Sequence, residues 1–329
     1  MSKEAITNGD SANSAPQWRV VMRRPVRVVA VHDEEWIEGE PVPNPEVFVQ
    51  QLRQEKQVPH LFTFVRPLPH REPSHPFHIE WDNVAVAELS AGYNPWWESL
   101  PQETRKNVRR AGRRGVAVER LTFDDKSVRG ISNIYNETPI RQGRKFWHYG
   151  KSLDRVKAEN ATYRDRSEFI GAFFHGELIG FIKLVRVNGL SRIMQIVSLE
   201  AHFDKRPTNA LLAKAVEICC ENKATHLIYG KFVYGTKENS PVTEFKRRNG
   251  FERLNFPRYY VPVTGMGALA LRCGLHRGLA SMMPEKIVDM FLATRAAIYR
   301  RRFTRQNTVP VIGQPIVAGL SSPASQSEH

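Results

Sequence analysis

An α+β fold, with a mixed and mostly antiparallel sheet flanked by helices, is what this sequence predicts, and three observations predict it. Three β-rich runs at residues 168–175, 177–187 and 191–199 are separated by the turn pairs His175-Gly176 and Asn188-Gly189, the pattern of an antiparallel meander. The stretch 202–223 then runs from a charged loop with one proline into a helix with an apolar face. A strand, a helix and further β-rich sequence follow to about residue 263.

The remaining elements follow in chain order. Residues 1–16 and 306–329 are rich in Ser, Asn, Gly, Pro or Ala without a sustained period and read as tails. Residues 17–93 make a small N-terminal α/β arm: a strand over 19–31, a helix over 45–57, and strands over 61–65 and 77–89 joined by the Pro-rich turn PLPHREPSHP. Asn94-Pro95 opens a helix that carries Trp97, Leu100, Thr104, Val108 and Ala111 on one face. Arg105, Lys106, Arg109, Arg110, Arg113 and Arg114 cover the other, either as a solvated face or as a contact for phosphate. GVAVERL reads as a strand, 124–138 and 153–159 as helices, 225–232 as a strand, 240–249 as a helix and 251–263 as a β pair. Residues 265–305 supply basic C-terminal helices near 266–281 and 284–302.

Composition bounds the function class. With 329 residues, 41% hydrophobic and 25% charged, the chain is ordinary for a globular protein of one large domain or two small ones. Its three cysteines cannot all pair, and adjacent Cys219 and Cys220 give neither a C-x-x-C nor a zinc spacing. The eleven histidines are scattered, with no His-x-x-x-His pair, so no metal is expected. No apolar run reaches the ~18 residues that span a bilayer, and the first residues lack a hydrophobic signal core, so the expected location is cytoplasmic. A net charge of +14 calls for an anionic partner: nucleic acid, a phosphorylated donor, or the inner face of a membrane. For the last, the segment MMPEKIVDMFLATRAAIYRRRF offers an amphipathic helix ending in arginines, which docking on the body explains equally.

Three stretches carry a family resemblance: GELIGFIKLV, PTNALLAKAVEICCENKATHLIYG and EFKRRNGFERL. In their order and spacing they resemble the central strand, the cofactor-side helix and next strand, and the late helix of the GCN5-related N-acyltransferase (GNAT) fold, covering residues 97–264. ESLPQETRKNVRRAGRRGVAVE and the Phe245-Lys246 pair resemble the FemABX-like branch, which moves amino acids from aminoacyl-tRNA onto peptidoglycan precursors. The resemblance implies a GNAT-like domain over 94–264 and makes the arm a degenerate GNAT half. It further implies acyl or aminoacyl transfer from acyl-CoA or aminoacyl-tRNA to an amine, on a cell-envelope or polysaccharide precursor.

Acyl-CoA members carry glycines in the loop before the cofactor-side helix, so that backbone N–H groups approach the pyrophosphate. Here the matching residues are DKRPTNA, without glycine. Lys205, Arg206, Thr208 and Asn209 are candidates for the donor, by charge rather than backbone, or else for plain capping; Gln195, Val197 and Ser198 of the central strand are candidates for its carbonyl. Where many members place a tyrosine general acid, this chain has Lys246, which could stabilise negative charge or donate a proton. YNETPIRQGRKFWHYGK supplies the other candidates: Glu137 or His148 as base, and Arg141, Gln142, Arg144, Trp147 and Tyr149 for substrate. A tryptophan in such a loop is expected to bury against protein or ligand. Tyr229 and Tyr234 flank the expected splayed strand end. The competing expectation is a catalytically silent GNAT-fold module that binds RNA or an anionic membrane surface.

Overall fold

In the computed structural model, residues 18–22, 25–31, 42, 44–66, 72–141, 144–234 and 240–277 are described. The expected tails, the helix over 284–302 and Gln142 lie outside them. Strand β1 (Trp18–Met22) turns back on β2 (Val28–Val31), with Trp18 opposite Val31. The single strand expected over 19–31 is therefore a hairpin; Pro25 has no N–H for a ladder and lies between its strands. Helix α1 (Pro45–Arg53) starts where the Asn44 side chain accepts from the Val47 N–H, with Pro45 at the first helical position. Strands β3 (Leu61–Val65) and β4 (His78–Glu88) follow.

The helix expected to run unbroken from Asn94 is two helices, α2 (Tyr93–Ser99) and α3 (Gln102–Arg113). Pro101 forces the residue before it out of helical geometry, and Leu100 is extended (ψ 143°). Gly92, not Asn94, stands at the N-cap of α2. Thr104 and Ala111 of α3 are buried, while Lys106, Arg109, Arg113 and Arg114 are exposed. After β5 (Ala117–Leu121), helix α4 (Asp125–Asn136) is held by a reciprocal cap between Asp124 and Ser127. A short hairpin, β6 (Ile140–Arg141) and β7 (Arg144–Lys145), leads to α5 (Leu153–Asn160). The meander is β8 (Ser167–Phe174), β9 (Glu177–Val187) and β10 (Leu190–Ser198). Its turns have positive φ at both central residues, 49° and 79° at His175-Gly176 and 45° and 78° at Asn188-Gly189, as two-residue hairpins require. A 3₁₀ turn (Glu200–Lys205) precedes α6 (Pro207–Glu221), β11 (His226–Ile228), α7 (Pro241–Arg248), β12 (Glu252–Pro262) and α8 (Gly265–Arg272). A second 3₁₀ turn spans Leu275–Arg277.

The sheet order is β1-β2-β3-β12-β4-β11-β10-β9-β8-β5, with only β2/β3 and β10/β11 parallel. The β pair expected over 251–263 is one strand: β12 threads between β3 and β4, so its partners come from sequence nearly two hundred residues away. Alternation along the meander sends Ile170, Ala172, Ile182 and Leu184 against α6 and sends Phe169 and Phe181 against α4 and α5. Both faces of this half of the sheet are thereby covered. The other half is cored by an aromatic stack in which Phe62, Phe64 and Tyr259 lie at 5.4 and 4.9 Å. No helix among the described residues is long and apolar enough to cross a membrane.

Candidate active site

The site begins with a ladder that stops early. Strand β10 pairs with β9 from Leu190 to Ser198 but with β11 only from Leu190 to Arg192, and a register shift lies between Ile193 and Gln195. Beyond Arg192 the β11 side of β10 has no strand partner among the described residues, and a cleft of about 580 Å³ fills the gap. Ile196, Val197 and Ser198 form one wall, Tyr229 just past β11 stands in another, and Pro241, Val242 and Phe245 of α7 contribute a third. The entry to α6 closes one end with Phe203, Arg206, Pro207, Thr208 and Asn209, and Arg141, Lys145 and Phe146 close the other.

The mouth of α6 is built without a glycine, and the consequences are visible. Arg206 takes the left-handed conformation that glycine favours (φ 60°, ψ 39°), and its N–H is spent on the Phe203 carbonyl at 3.1 Å. Pro207 has no N–H to give. The first-turn donors that remain are those of Thr208 and Asn209. Thr208 is held by its hydroxyl, 3.1 Å from Ser198 Oγ, and Asn209 by donating to Asn249 Oδ1 at 3.0 Å. Gly180 makes the first of these contacts possible, because a Cβ there would lie 2.5 Å from Ser198 Oγ. Lys205 points elsewhere: its ammonium lies 4.8 Å from the Phe174 ring, beside Asp204. Among the described residues the cleft wall includes Arg141, Lys145 and Arg206 and no acidic residue; Arg141 is paired with Glu137, so it is chiefly the exposed Arg206 that offers charge to an anion.

Two of the nominated bases are occupied by the protein itself. Glu137 Oε2 accepts from the Glu200 N–H at 2.8 Å and from Arg141 Nη2 at 2.8 Å, and Oε1 accepts from the Ala201 N–H at 3.0 Å. The carboxylate thus caps the 3₁₀ turn before α6 and anchors Arg141, whose Nη1 donates to the Ser198 carbonyl at 2.8 Å. His148 lies in a chain of polar groups behind β10. Tyr135 donates to Gln195 Oε1 at 2.7 Å, Gln195 Nε2 meets His148 Nε2 at 3.0 Å, and Lys151 meets His148 Nδ1 at 3.3 Å and Glu159 at 2.6 Å. Burial, aided by the Lys151 charge, pushes the His148 pKa down to about 4, so the ring is neutral at pH 7. Neither side chain is in the cleft wall.

Lys246 is buried behind the cleft. Its ammonium donates to the Lys231 carbonyl at 2.5 Å and lies 4.4 Å from the Tyr229 ring centroid and 5.0 Å from that of Tyr234. Burial, with the charge of Arg192, lowers its pKa to about 8. Burial likewise raises the Tyr229 pKa, which keeps the phenol protonated. Trp147 is not buried against anything: it is 75% exposed, with the Lys151 ammonium 5.1 Å from its ring. Tyr149 is half-buried, and Arg144 stands in β7. Of the predicted residues, Arg141, Val197, Ser198, Arg206, Thr208, Asn209 and Tyr229 meet in the cleft wall; Glu137, His148, Gln195, Lys205, Trp147, Tyr149, Tyr234 and Lys246 are outside it. Sequence reasoning missed Phe203, Phe245 and Val242 in the wall and Tyr135 behind it. Tyr135 was findable, since it falls on the same face of α4 as Val128 and Ile131.

No protein-family model and no curated protein matches the chain. Solved structures do. FemX is 11% identical over 75% of this chain and 88% of its own, with a TM-score of 0.52. L-PGS from Bacillus licheniformis is 12% identical over 76% and 81%, at a TM-score of 0.46, and a tandem GNAT protein from the clavulanic acid biosynthesis pathway is 11% identical over 72% and 75%, at 0.44. At such identities the likeness shows the fold alone: the chain has a GNAT-like fold, similar to that of FemX.

Proposed function

We propose that the chain is an N-acyltransferase whose donor is an acyl-CoA or an aminoacyl-tRNA and whose acceptor is an amine. The observation that carries this reading is the anion-attracting cleft where β10 and β11 part, with Arg206 and the N-terminus of α6 at its mouth. A thioester or ester carbonyl held along Ile196–Ser198 lies beside backbone donors of β10 that no strand uses. The acceptor nitrogen attacks that carbon, and the C–S or C–O bond breaks. The nitrogen's surplus proton leaves with the departing thiolate or ribose oxygen. Among the described residues no carboxylate or imidazole lines the cleft; in this reading the amine arrives neutral and the protein contributes orientation and charge. Tyr229, held protonated by burial, gives its proton to the departing atom and takes up the nitrogen's in its place, so one net proton moves, and Lys246 behind it supplies positive charge. The glycine-free mouth leaves side-chain charge to hold the donor, which favours aminoacyl-tRNA over acyl-CoA.

The test offers purified full-length protein a panel of acyl-CoAs in one arm and charged tRNAs in the other, following donor discharge by mass spectrometry. One donor class is expected to be discharged faster than in buffer, and Arg206→Ala to raise its KM about 10-fold or more with unchanged thermal unfolding, the size of one lost charge-assisted bond. Absence of binding and discharge in both arms overturns the proposal.

A further inference from the structure

Far from the cleft, β4 presents His78 and Glu80 at alternate positions, and alternate residues of a strand share a face. The 3₁₀ turn Leu275–Arg277 brings His276 onto the same spot. One ligand atom from each of these three residues lies within 4.8 Å of the other two. His276 Nε2 is 2.6 Å and His78 Nε2 is 3.8 Å from Glu80 Oε1, distances that bracket the ~3.3 Å edge of a tetrahedron around zinc. We propose that His78, Glu80 and His276 form a site for a divalent transition ion of the zinc class.

Three features support it. The donor set, two imidazoles and one carboxylate, suits zinc and its neighbours and not magnesium or calcium, which take oxygen shells. Glu80 is held in place from two sides: Arg277 Nε donates to its Oε1 at 2.8 Å, and His276 Nε2 lies 2.6 Å from the same oxygen. Arg277 can thus orient the ligating carboxylate as outer partners of metal ligands do. His276 is buried under the Tyr260 ring, 4.8 Å away, and its Nδ1 has no partner among the described residues, so the ring's polar commitment is made through Nε2, the atom that faces Glu80. His78 is exposed and leaves a fourth position open to water. Along β4, His78 is seven and Glu80 five residues from Ala85, which pairs with Tyr229, or about 23 and about 16 Å. The ion would therefore pin the turn after α8 to the sheet rather than take part in acyl transfer.

The experiment uses the full-length chain without an affinity tag, stripped with a chelator and titrated with Zn²⁺ against a chromophoric competitor, with Co²⁺ as spectroscopic probe. One equivalent is expected, with a Co²⁺ spectrum of four- or five-coordination and a rise in melting temperature on adding Zn²⁺. His78→Ala, a surface change that leaves folding intact, and Glu80→Gln should each weaken binding about 10-fold or more and abolish the cobalt signature. Binding of equal strength in wild type and both variants, an octahedral cobalt spectrum, or no bound equivalent overturns the site.

Discussion

On the α4–α5 side of β10, Tyr135, Gln195, His148, Lys151 and Glu159 bond to one another, and Glu137 and Arg141 bond to each other and to backbone. At the cleft on the far side of the same strand end, Arg206 has no hydrogen bond or ion pair from its guanidinium among the described residues, and no acidic side chain shares the wall. The two regions draw on the same residue types, yet one consumes its charge internally and the other leaves charge for a ligand. What distinguishes support from site here is whether a polar group's partners are already supplied.

The largest effect should come from breaking the closed side. Glu137→Ala removes the acceptor for two N–H groups and strands the Arg141 guanidinium, whose Nε is already buried without a partner. A loss of about 3 kcal/mol is expected, read from the urea unfolding midpoint, because breaking a mostly buried ion pair leaves one charge uncompensated. A variant that keeps wild-type stability yet discharges no donor would return Glu137 to the catalytic role and erase the contrast.

How much of this could be read from sequence depended on how local each cause is. The His175-Gly176 and Asn188-Gly189 turns, the Asp124 cap and the α6 start are short-range devices, and the meander and α6 were legible from them. Pro25 and Pro101 are equally local, and their breaking effect was there to be weighed against the apolar pattern that seemed to run through them. The threading of β12 between β3 and β4 was not legible, because its pattern says only that it is a strand. At the cleft, the family resemblance nominated Arg206, Thr208, Asn209 and Ser198, which line it. It could not reveal that Glu137 would meet the Glu200 and Ala201 N–H groups, or that Glu80 would meet a histidine 196 residues away.

Lys246 sharpens the comparison because it is buried like a support residue yet only partly satisfied like a site residue. Its folded pKa of about 8 lies below the ordinary 10.5, so the unfolded chain binds more protons between those values. The cost of burying the ammonium is fully present below about pH 8 and is relieved as pH rises to 10.5, so wild-type stability should rise across that window, by roughly 3 kcal/mol at most. Lys246→Met should remove the rise. If the ammonium assists acyl transfer, kcat should also fall above about pH 8 in wild type, and the variant should be slow and lack that limb. A pH-independent stability difference between the two proteins would refute the buried-charge account.

The smallest effect is expected at Trp147, which belongs to neither arrangement. Three-quarters exposed and touched mainly by Lys151, it contributes little to the fold, and Trp147→Ala should shift stability by no more than about 0.5 kcal/mol. The donor cleft does not include it, so donor discharge should be unchanged. An exposed indole beside the β6–β7 hairpin is a surface that an acceptor could cover. A higher KM for the amine acceptor, with kcat and melting temperature unaltered, is therefore the signature to look for. A drop of several degrees in melting temperature would instead make the indole a buried strut of the hairpin, and a drop in donor discharge would extend the cleft across the hairpin to α5.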